Sequence, residues 1–163
     1  MHTTLVLLAL LLLSGCRSDT SWTVDHVASG RSRFNSTKLT YTAADPINGL
    51  DLEFLKTREH LYVYLNVHSV PIPPLKTDPH HSFVYITVDT ERHRFEAVRR
   101  EGGQRLLLPE DAINLIISSL NQQLPVEIAV SGYSSLISPS DFSKKYKKIQ
   151  HISAFENPFH LPF

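Results

Sequence analysis

Few side chains in this sequence are of types that do chemistry, and those few are scattered. Cysteine occurs once, at Cys16. One thiol cannot close an intrachain disulfide or supply the paired thiolates of a structural zinc site. Asp78, His80 and His81 are the closest grouping of metal-ligand types. Adjacent loop residues stiffened by Pro79 do not converge on one ion, so they read as solvated loop histidines. His60, His68 and His93 fall near strand positions without forming a motif. Glu91, Glu96, Glu101, Glu110 and Asp111 are carboxylates, but a glycosidase-type pair is defined by separation in space. They read as surface charge. No Gly-rich phosphate loop, HExxH helix or GxSxG elbow occurs. The expectation is a protein without catalytic residues, metal or cofactor, whose work is contact.

Around Cys16 the pattern is more specific. Residues 5–13, LVLLALLLL, are wholly apolar. The run is too short to span a hydrocarbon core of ~30 Å and has the length of a signal-peptide hydrophobic region. Leu13-Ser14-Gly15-Cys16 follows directly. This order resembles the signal peptide and lipobox of bacterial lipoproteins, although Met1-His2-Thr3-Thr4 lacks the usual Lys or Arg. The resemblance implies removal of residues 1–15 and diacylglycerol on Cys16, and so a membrane partner held through the N-terminal lipid. It also takes the one thiol out of nucleophilic chemistry. Arg17, rather than Asp, follows the cysteine. In the enterobacterial sorting pattern that implies the outer membrane, on its periplasmic side.

The rest of the chain must then supply a scaffold. Its 163 residues suggest one domain, with 42% hydrophobic and 20% charged residues. Lys plus Arg and Asp plus Glu are 16 each, so formal net charge is zero. That argues against a nucleic-acid partner and gives no global attraction to an anionic membrane. Residues 16–36 read as lipidated cysteine and polar tether, with Trp22 and Val24 as a faint strand signal. From residue 37 the apolar period is two. Leu61, Val63, Leu65 and Val67 take one face, and Tyr62, Tyr64, Asn66 and His68 the other. Tyr62 and Tyr64 are therefore candidate partner contacts. Residues 70–74, VPIPP, predict an extended stretch outside any central sheet. Further strands are expected near 83–88, 94–99 and 105–108, the last two joined by a Gly102-Gly103 turn. Pro109 suits a first helical position, and Ile113, Ile116, Ile117 and Leu120 mark one helical stripe. Strands near 126–130 and 133–137 precede a short helix expected to run through Tyr146. Lys144, Lys145, Lys147 and Lys148 cluster there. They read as a solvated helix face, or as a contact for anionic headgroups or an acidic partner.

The predicted class is mainly β: a β-sandwich or partly open antiparallel barrel carrying one amphipathic helix, with an α+β sheet as the alternative. The globular domain is expected at 37–150 and an aromatic tail at 151–163. Phe159, Leu161 and Phe163 alternate, which resembles the C-terminal assembly signal of outer-membrane β-barrels. Pro158, Pro162 and the small number of strands argue against a barrel of that kind. Phe159 and Phe163 are instead candidate partner contacts. Lipobox, polar tether and compact β-rich domain together resemble the layout of pilotins, small outer-membrane lipoproteins that support secretion machinery. The likeness is of layout, so it carries over no site residue. It implies a binding or scaffold module for an envelope protein. A lipid or small hydrophobic-ligand carrier and a hydrolase inhibitor are the alternatives.

Overall fold

The computed structural model describes residues 22–27 and 35–151. The signal-peptide and Cys16 expectations, and the tail positions Phe159 and Phe163, lie outside the described residues. Alternation of apolar and polar side chains produces nine strands: β1 (Trp22–Val27), β2 (Ser36–Tyr41), β3 (Leu50–Lys56), β4 (Leu61–Val67), β5 (His81–Val88), β6 (Glu91–Arg99), β7 (Arg105–Leu107), β8 (Val126–Val130) and β9 (Tyr133–Ile137). Helices α1 (Glu110–Asn121) and α2 (Phe142–His151) complete the fold.

All nine strands join one antiparallel sheet, in the order β1-β2-β3-β4-β7-β6-β5-β8-β9. The sheet curls until its far strand nears β2 and β3. Tyr41 Oη donates to the Leu136 carbonyl at 3.4 Å, the Leu50 amide to Ser135 Oγ at 2.7 Å, and the Ser134 amide to the Asn48 carbonyl at 3.0 Å. No ladder closes that seam among the described residues. The mainly β expectation therefore holds, and of its two forms the partly open barrel is the one that the pairing describes.

Inside the curl lie the alternate residues Leu39, Leu52, Phe54, Val63, Leu65, Val84, Ile86, Leu106, Ile128 and Ile137, all fully buried. Helix α1 lays Ala112, Ile116 and Leu120 on this core, and α2 adds Phe142, Tyr146 and Ile149. Where α2 meets the first strands an aromatic cluster forms. Trp22 stands 5.1 Å from Tyr41, 5.8 Å from Phe54 and 4.9 Å from Phe142, between ring centroids. Such contacts add to the area already buried.

Three expectations need correction. The stretch taken as tether contains β1, whose whole length pairs with β2 from Trp22↔Tyr41 to Val27↔Ser36. Its outward residues Thr23, Asp25 and Val27 are exposed and His26 breaks the apolar face that Trp22 and Val24 begin, so the alternation is faint. Helix α2, expected to run through Tyr146, continues to His151 and packs on the core as α1 does. Its buried residues Phe142, Tyr146 and Ile149 follow helical spacing, but the lysines between them masked it. Pro109 caps α1 from outside, with extended backbone at φ −72° and ψ 160°, instead of opening its first turn.

Residues 70–74 are extended and outside the sheet, as their prolines dictate, yet they are pinned. Ile72 is fully buried. Its amide donates to the Gly103 carbonyl at 2.8 Å, and Arg99 Nε donates to its carbonyl at 3.1 Å. Gly103 has φ +71°, and a Cβ there would stand 2.5 Å from the Arg99 guanidinium and 3.2 Å from Pro71 Cβ. Glycine suits that left-handed crossing, where a Cβ would oblige the Arg99 guanidinium to shift.

Candidate binding surface on the outer face

The convex face of the sheet carries every outward residue of the alternation, and its centre is polar and aromatic. Register sets Glu53 opposite Tyr64, and Asn66 opposite Arg105. Arg105 can therefore reach diagonally across β4. Its Nη2 donates to Glu53 Oε1 at 2.5 Å, and its Cζ lies 3.8 Å from the centre of the Tyr64 ring. Glu53 is 9% exposed and sits between Thr40 and Tyr64 in the sheet. A charge so covered needs its partner. Tyr62 follows one step along, with its ring 6.4 Å from Tyr64 and 5.8 Å from His60. At the edge of this group His68 Nε2 lies 2.7 Å from Asp51 Oδ2, while Asp51 Oδ1 accepts the Ala43 amide at 2.8 Å.

The same face continues across β5 and β6. Phe83, Tyr85 and Thr87 oppose Glu96, Arg94 and Arg92. Both arginines lean diagonally. Arg92 Cζ lies 4.2 Å from the Tyr85 ring centre, and Arg94 Cζ 4.5 Å from that of Phe83. Three guanidinium groups are thus laid on aromatic rings along one surface. Stacking orders a long side chain before any partner arrives, which lowers the entropic cost of contact.

Tyr62 and Tyr64 therefore share one face, as the alternation implied. Neither is bare: both are partly buried, and Arg105 covers one side of Tyr64. Glu53, Arg105 and the Arg92–Tyr85 and Arg94–Phe83 pairs were not singled out in the sequence. One signal was there. Asp89-Thr90 is a two-residue turn pairing Val88 with Glu91, and that register alone puts Tyr85 opposite Arg94. Nothing local in the sequence pairs Glu53 with Arg105, because β4 and β7 are joined through the long excursion of β5 and β6.

Two hollows open at the surface. One, of about 380 Å³, lies between α1, β4 and β7, lined by Leu61, Tyr62, Leu107, Ile113, Ile117 and Tyr146. Burial pushes the Tyr146 phenol above its ordinary value of 10.0. The other, of about 300 Å³, lies beside the pinned residues Pro71 and Pro73 and the Ser131-Gly132 turn. The Asp78 grouping is a turn. Asp78 accepts the His80 amide at 2.8 Å and lies 2.6 Å from His81 Nδ1. The backbone bond, then the histidine bond, hold its carboxyl below the usual value. Among the described residues no three His, Cys, Asp or Glu side chains gather as a metal site.

The described fold is thus a mainly β protein of one curled antiparallel sheet, with two helices on its core and an arginine–aromatic outer face. No protein-family model matches the chain, and searches of curated proteins and of solved structures found no match either.

Proposed function

We propose that this protein is a lipid-anchored binding or scaffold module, held at the membrane through Cys16 and presenting its outer face to an envelope protein. The observation that carries the binding reading is the ordered surface of Tyr62, Tyr64, Arg105 and Glu53. Aromatic and arginine side chains dominate the centres of protein interfaces, and here the guanidinium is fixed before contact. Two further features support contact over carriage. The interior of the curl is filled with aliphatic and aromatic side chains. A carrier for an apolar ligand needs a cavity that encloses most of it, whereas the groove beside Tyr62 is open. Among the described residues no helix is long and apolar enough to cross a membrane.

The test has two arms. Metabolic acyl labelling of the wild-type chain and the Cys16→Ala variant addresses the anchor; unchanged labelling in Cys16→Ala would sink it. For the face, a photo-crosslinking residue is placed at Tyr62 and, as a control, at Leu136 on β9. A discrete envelope adduct from position 62 that disappears in the Arg105→Ala background is expected. Equal adducts from both positions would remove the face from the proposal.

A further inference from the structure

Helix α2 is the most one-sidedly charged element of the fold. Its sequence, FSKKYKKIQH, contains no acidic residue. Phe142, Tyr146 and Ile149 are buried, while Lys144, Lys147 and Lys148 are exposed. None of these three lysines has a carboxylate within ion-pairing distance among the described residues. The nearest acidic residue in the chain is Asp141, just before the helix.

The position of α2 adds to this. Lys145 Nζ donates to the carbonyl of Trp22, the first residue of β1. Trp22 Nε1 donates to the Ser138 carbonyl at 2.9 Å, on the segment that leads into α2. The start of β1 is therefore clamped against the basic helix. Residues 17–21 alone separate Trp22 from Cys16. Six residue steps at ~3.5 Å each reach about 20 Å at most. A lipid on Cys16 would thus enter the bilayer beside α2. The far end of β9 lies away from that contact: Tyr133, at the other end of the strand from Ser138, donates from its Oη to the Val70 carbonyl at 2.6 Å.

We propose that the Lys144, Lys147 and Lys148 face of α2 is a membrane-surface site that takes anionic lipid headgroups. It acts as a second, electrostatic attachment beside the acyl chains and fixes which pole of the domain faces the bilayer. A single lipid plus a basic patch is a recognised route to stable anchoring. Zero net charge does not oppose it, since lysines act on headgroups within about a Debye length, ~8 Å. The orientation rests on the lipid-anchor reading, whereas the headgroup contact does not.

The experiment reconstitutes the full chain in vesicles of phosphatidylcholine alone or with 30 mol% phosphatidylglycerol, labels lysines with an amine-reactive ester, and quantifies each site by mass spectrometry. Labelling of Lys144, Lys147 and Lys148 is expected to fall at least fivefold in the anionic vesicles. Lys76, in the loop before β5, should not change, and 0.5 M salt should restore reactivity. Equal labelling in both vesicle types overturns the site, as does protection that appears only when envelope proteins are added. Acyl labelling of Cys16 is read in parallel. Protected lysines without acylation would sink the anchor and leave the surface standing; acylation with unprotected lysines would do the reverse.

Discussion

Single side chains carry most of the chemistry of the described fold, and Glu53 with Arg105 is the clearest case. Glu53 is the more buried partner, with its side chain 12% exposed against 39% for Arg105. Removing the arginine strands a covered carboxylate, whereas removing the carboxylate leaves a guanidinium still touching water and Tyr64. Arg105→Met should therefore cost about 2 kcal/mol and Glu53→Gln about 1 kcal/mol, both below the figure for fully buried pairs. Urea unfolding of the two variants checks the order, and equal costs would mean that burial is not what decides. Asp45 and Asp78 act differently, as turn acceptors. The amides of Asn48 and Ile47 lower the Asp45 carboxyl, and the His80 amide lowers that of Asp78. Both folded values lie below the unfolded value of 3.8, so the unfolded chain takes up protons first as pH falls. Their contribution is complete above 3.8 and is lost as pH drops through the lower folded values. Melting temperature should thus decline below pH 4 and decline less in Asp45→Asn and Asp78→Asn. At this scale the sequence was half legible. Tyr62 and Tyr64 were visible as one face, but the cover that Arg105 gives to Tyr64 depends on a strand pairing with no local sign.

At the scale of elements, alternation and punctuation did most of the work. β4 reads directly from its apolar residues, and prolines rightly keep residues 70–74 out of the sheet. Pro125 keeps α1 from running on into β8, but the geometry of the helix end is not visible in the sequence. Leu124 N donates to the Ser119 carbonyl at 3.0 Å and Gln123 N to that of Leu120 at 3.2 Å, with Gln123 at φ 63°. That is a Schellman ending with glutamine in the left-handed position where glycine is usual. Gln123→Gly relieves the Cβ clash and should stabilise by about 0.5–1 kcal/mol, after glycine's extra unfolded-state entropy is set against it. A melting temperature raised by roughly 2–4 °C would show this; a lowered one would mean that the Gln123 side chain makes a contact worth more than the strain. α2 was under-read for a physical reason. Its apolar residues are outnumbered by lysines, so it looks like a solvated segment until Trp22, Phe54 and Phe142 come together around it.

For the whole molecule, the curl of the sheet sets both the seam and the place where the domain begins. Neither can be read from periodicity, since pairing β4 with β7 and bringing β9 to β3 are decided by contacts far apart in the chain. β1 shows the consequence. Its exposed residues look like a linker, yet it adds the tryptophan around which Tyr41, Phe54 and Phe142 pack. If residues before 37 only linked the domain to its anchor, Trp22→Ala would leave stability unchanged. A fully buried tryptophan in an aromatic cluster instead predicts a loss of about 3–5 kcal/mol. Trp22 is also the one tryptophan in the chain, so the wild-type protein reports on itself. Its emission should be blue-shifted when folded and should shift to the red in the same urea transition that circular dichroism follows. Two separate transitions would mean that β1 detaches before the rest of the sheet. A single one would make the first strand part of the cooperative core.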